Sequence, residues 1–146
     1  MKKSSILLIF ILALHISFCG YGQINCQRER IIGEWTEVTN MAGVHTNIDS
    51  LRNLMNNRKE TLGTWNFNSD GTYTYKDSYS NEYYRKGQKF NFDNSTCEII
   101  LWSKSKSRTK KVSRENLEII YIEHDFLVYK SDDNPKGYYT HLMKRK

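Results

Sequence analysis

Leu62-Gly63-Thr64-Trp65-Asn66-Phe67-Asn68-Ser69-Asp70-Gly71-Thr72-Tyr73-Thr74-Tyr75-Lys76 is the stretch that decides the fold class. Side chains of an extended strand point alternately to its two faces. Trp65 and Phe67 therefore share one face, and Thr64 and Asn66 the other. Asn68-Ser69-Asp70-Gly71 then interrupts the alternation. It is a hairpin turn, because glycine takes positive φ at no steric cost. After it Tyr73 and Tyr75 alternate with Thr72, Thr74 and Lys76. Two aromatic-faced runs across a short turn predict antiparallel β structure.

The rest of the chain repeats this pattern. Lys89-Phe90-Asn91-Phe92-Asp93 alternates in the same way, and further strands are predicted over 97–103, 109–112, 117–123, 126–130 and 138–143. One strand in about ten residues fits an antiparallel barrel or sandwich. Pro135 lies in a polar turn, so the strand cores are free of proline. Residues 40–60 depart from the pattern. There Ile48, Leu51, Leu54 and Met55 recur at helical spacing, with Asp49 or Ser50 able to cap the first turn. The spacing predicts a short helix in a long connection. Such a helix is either packed on the barrel surface or a functional lid.

The 146 residues suit one domain. Lys2-Lys3, the apolar run Ile6 to Leu14 and the small residues of Gly20-Tyr21-Gly22 read as a secretion signal over 1–22, leaving a β domain over 23–146. An exported protein, periplasmic or extracellular, is the expectation; lipid attachment at Cys19 is the alternative. Without the leader the 22 basic residues become 20, against 16 acids, a net charge of +4. That charge is too mild to argue for nucleic acid. Cys26 and Cys97 remain, and two cysteines in an exported chain read as a disulfide.

The first predicted strand is Ile31-Ile32-Gly33-Glu34-Trp35-Thr36-Glu37-Val38. Its Gly33-Glu34-Trp35, the hairpin from Trp65 to Tyr73 and a basic end from Tyr138 to Arg145 together resemble the small secreted lipocalin-like proteins of bacteria, which are calycin-type barrels. The resemblance implies an up-and-down antiparallel barrel of about eight to nine strands, with a cavity and with the helix of 40–60 over its mouth. It also implies structural roles for Gly33 and Trp35, with Lys144 or Arg145 packed on the Trp35 ring. The second and third motifs of animal lipocalins are missing, so a transport role does not carry over.

For function, aromatic residues facing into a barrel either fill it or line a pocket. Trp65, Phe67, Tyr75 and Phe90 are the candidate pocket residues, and Leu54 and Met55 the candidate lid. His45, His124 and His141 have no carboxylate or cysteine at metal-ligand spacing, and no nucleophile motif occurs. The expectation is a protein that binds a small apolar or amphipathic molecule, with no catalysis, cofactor or metal. The rival is a protein-interaction module with a filled barrel, an inhibitor or envelope assembly factor. Its contact surface could be the basic run from Lys104 to Arg114, with six cations and no acid. The bland account of that run is a solvated hairpin kept soluble by its lysines.

Overall fold

The structure, a computed structural model, describes residues 26–80, 82–104, 112–132 and 137–146, without the side chains of 83, 84 and 104. The assigned leader, Cys19, Pro135 and most of the basic run lie outside the described residues. Eight strands close into one antiparallel barrel in chain order. They are β1 (Gly33–Ala42), β2 (Gly63–Phe67), β3 (Thr72–Asp77), β4 (Tyr83–Asp93), β5 (Glu98–Lys104), β6 (Val112–Ile122), β7 (Phe126–Ser131) and β8 (Tyr139–Arg145). β1 pairs with both β2 and β8, which closes the cylinder and leaves no free sheet edge. Of the strand expected over 109–112 only Val112 lies within the described residues, and from it β6 runs unbroken through the strand expected over 117–123 as far as Ile122. The polar residues between them hid its continuity.

Alternation builds two cores on opposite sides of the wall. The interior is filled by Trp35, Phe67, Tyr73, Phe92, Ile99, Leu101, Leu117, Leu127 and Met143, among others. The outer cluster is Val38, Leu51, Met55, Phe126, Val128 and Leu142. Adjacent residues of β7 divide between the two, Leu127 and Tyr129 inside and Phe126 and Val128 outside. Tyr121 packs in the outer cluster beside Phe126, so it does not face the interior.

Two short helices accompany the barrel, α1 (Arg28–Ile31) and α2 (Ile48–Asn57). The Asn47 side chain caps α2 by accepting from the Ser50 amide at 3.1 Å, in place of the expected Asp49 or Ser50. Asp49 instead falls in the first turn, where the helix dipole favours an acid. The lid expectation is corrected here. Met55 and Leu54 pack on the outer wall with Val38, Phe126, Val128 and Leu142. The apolar face of α2 meets an equally apolar outer face of β1, β7 and β8, and burying both there outweighs covering a polar mouth. The Arg52 guanidinium secures it through Glu123 at 2.6 Å and lies 5.2 Å from the Phe126 ring centre.

One end of the barrel is sealed. The Trp35 indole is fully buried and donates to the Ile31 carbonyl at 2.7 Å. The Arg145 guanidinium stands 4.4 Å over the Trp35 ring and donates to the carbonyls of Ile32 and Arg30. Gly33, at φ +126°, makes room: a Cβ there would sit 3.2 Å from Arg145 Nη1. Lys144 points away and is exposed. A disulfide joins Cys26, just before α1, to Cys97 in the β4–β5 turn, across 71 residues. α1 is thereby held against the closed end.

Candidate functional site

At the other end the interior changes character. Bulges in two strands set its side chains. In β1 the register slips between Glu37 and Thr39, so Glu37 and Asn40 both reach the interior side. In β4 a slip around Gly87, at φ +60°, places Arg85 opposite Tyr75. β6 contributes Glu115, β7 Tyr129 and β8 His141. With Trp65 and Tyr75 they surround a pocket of about 200 Å³.

A hydrogen-bond network organises this pocket. One Glu37 oxygen accepts from Trp65 Nε1 at 3.0 Å, and the other lies 2.7 Å from His141 Nδ1. His141 Nε2 is 2.8 Å from the Ser131 hydroxyl. The imidazole is thus held at both ring nitrogens, between a carboxylate and a hydroxyl. The imidazole lies flat on Tyr129, ring centres 4.5 Å apart. Opposite, Arg85 donates to Glu115 at 2.7 Å and to the Tyr73 hydroxyl at 3.3 Å. Burial alone would lower the Arg85 pKa; the Glu115 bond and charge, with Tyr73, overcome that and raise it.

Tyr75 lies across Gly63. A Cβ at Gly63 would meet the tyrosine ring and hydroxyl at 2.5–2.7 Å, so only glycine permits this seat. Burial first, then the charges of Glu37 and Asp77, push the Tyr75 phenol up to about 12. A raised folded-state pKa adds stability that is present below the ordinary tyrosine value and lost as pH rises through the folded one. The unfolding free energy from urea titrations should therefore fall between about pH 10 and 12, by roughly 2 kcal/mol from Tyr75 because its hydroxyl keeps some water. Tyr75→Phe should flatten much of that slope. Tyr73 and Tyr121, both also raised with burial as the largest cause, contribute in the same direction. An unchanged slope in Tyr75→Phe would refute the assignment.

Of the four expected pocket residues, Trp65 and Tyr75 line this space. Phe67 and Phe90 do not. Their rings meet edge to face at 5.2 Å in the solid part of the core, at 0 % and 5 % exposure. With Trp35, Tyr73, Leu101 and Leu127 they pack the interior at that level. The apolar cup expected from the aromatic count is thus filled below and polar above. Glu37, Arg85, Glu115 and His141 are the site residues that sequence reasoning missed. A signal existed: Glu37, Glu115 and His141 each stand two residues from an inward apolar side chain, Trp35, Leu117 and Met143. The bulge at Gly87 concealed Arg85. His45 and His124 lie in exposed loops away from the pocket.

Ser131, His141 and Glu37 are linked in series, the order of a hydrolytic triad. Ser131 is 1 % exposed, and the pocket is lined by His141 and not by Ser131. Its hydroxyl fixes the imidazole orientation and is not presented to a guest. Among the described residues no three His, Cys, Asp or Glu side chains gather as a metal site. The closed barrel is consistent with a calycin-like fold. Comparison with protein-family models, with curated proteins and with solved structures yields no match.

Proposed function

We propose that this protein binds a small amphipathic molecule non-covalently in the open end of its barrel, with no bond made or broken. The observation that carries the reading is the pocket itself. Its aromatic walls, Trp65, Tyr75 and Tyr129, meet polar groups already held in place by one another. Apolar walls with a few fixed polar groups are the usual make-up of a ligand site. The volume of about 200 Å³ lies below that of drug-sized sites, so the guest is small. The Tyr75 hydroxyl has no hydrogen-bond partner among the described residues and is available to orient the guest. The Cys26–Cys97 disulfide supports action in an oxidising, exported setting.

Asn40 is exposed at the rim and lines the pocket. Asn40→Trp should plug the mouth without touching the core. In a ligand-observed NMR screen of one-ring fragments, the wild-type protein should return hits that this variant loses. Equal hits on both proteins, or none on the wild type, would refute the reading.

The interaction-module reading draws on a second observation. A larger recess of about 530 Å³ lies on the outer wall, beside Trp102, Lys89 and the exposed Val112. The apolar side chains there, Trp102 and the exposed Val112, are surface of the kind at which proteins meet.

A further inference from the structure

We infer that the guest of the barrel pocket is a small organic cation, a protonated amine on a flat apolar body. This rests on the binding reading above and adds the charge class.

The charges around the pocket do not cancel evenly. Arg85 is matched to Glu115 at 2.7 Å, and the same nitrogen also serves the Tyr73 hydroxyl. Glu37 has no lysine or arginine within ion-pair distance among the described residues; its ion-pair partner is the His141 ring. That carboxylate is 6 % exposed. Each oxygen receives one hydrogen bond, from Trp65 or His141, and each can accept another. The Trp65 indole and the His141 ring hold the carboxylate in place and leave acceptor capacity at the pocket wall. The walls act in the same sense. Ring faces of Trp and Tyr attract cations, most strongly where water is excluded. At Tyr75 the charges of Glu37 and Asp77 each oppose loss of the phenol proton more than Arg85 favours it, which is the sense in which they would favour a cation. An anion would meet the Glu37 carboxylate, with the guanidinium of the pocket already engaged by Glu115. A neutral apolar guest would leave Glu37 desolvated with no new partner, a costly arrangement. A protonated amine supplies both charge and donors.

Titration calorimetry and Trp65 indole NMR with benzylamine, benzyl alcohol and benzoate at neutral pH test this. The three have nearly the same shape and differ in charge. Benzylammonium should bind at least about tenfold tighter than benzyl alcohol, and benzoate weakest, as expected for one partly desolvated charge contact. Glu37→Gln keeps the acceptor for Trp65 and removes the charge; it should erase most of the preference. Should that variant fold poorly, Asn40→Lys places a cation at the exposed rim and should weaken benzylammonium alone. Glu118→Gln, on the outer wall against Lys130, should change nothing. If benzyl alcohol or benzoate binds as well as the amine, the charge inference falls and the pocket reading stands. If none of the three binds or moves the Trp65 signal, and Asn40→Trp alters no fragment hit, both fall.

Discussion

Trp35→Ala should cost about 4 kcal/mol of folding stability, the range for deleting a buried tryptophan side chain. The indole is fully buried and carries three relations at once: core packing, a hydrogen bond to Ile31 and the platform under Arg145. Its loss opens a cavity at the closed end. It also removes the ring from beneath a guanidinium whose Nε already lacks a hydrogen-bond partner. Arg145 is partly buried, and stripping a partly buried charge of its surroundings adds to the cost. Since domains are stable by only about 5–15 kcal/mol, the variant should be close to unfolding at ordinary temperature. Urea denaturation followed by far-UV dichroism measures this. Trp102→Ala, on the outer wall, is the comparison and should cost about 1 kcal/mol or less. Equal losses in the two variants would refute the special role of Trp35.

Removing the disulfide is the second large effect. Cys26 and Cys97 are 71 residues apart, so the bridge closes more than half of the described chain into one loop. Chain-entropy reasoning for a loop of this size gives about 4 kcal/mol. Cys26→Ser with Cys97→Ser should lower the urea midpoint accordingly and raise the denaturant slope, because the uncrosslinked chain exposes more surface. Cys97 has a further property. Its φ of +59° lies in the left-handed region, which costs a side chain of order 1 kcal/mol. Cys26→Ser with Cys97→Gly should therefore be less destabilised than the double serine variant by about that amount. A double serine variant within about 1 kcal/mol of wild type would show that packing of α1 alone seals this end.

Much of the wall was legible before any coordinates. The Trp65–Phe67 and Tyr73–Tyr75 faces and the Gly71 turn stand as β2, β3 and their hairpin. Other elements were hidden by the chemistry of the interior. Glu115 occupies an inward position of β6, so the apolar alternation breaks there and the strand reads as two. Glu37 also takes an inward position in β1, although there the sequence still reads as one strand. The helix periodicity of 48–57 was visible, but which surface it would meet was not. An apolar stripe states that burial is needed and not against what.

Local alternation and turn residues are properties of neighbouring residues, and these the chain determined by itself: an all-β protein of short antiparallel strands with a helix over 48–57, while the Cys26–Cys97 bridge and the short α1 beside it were settled only by the structure. Closure of the sheet, the seat of α2 on the outer wall and the meeting of Glu37 with His141, 104 residues apart, were decided only by tertiary structure. The reason is physical. Strand twist and two bulges set which side chains share a layer of the barrel, and those offsets of one residue leave no mark in composition or spacing.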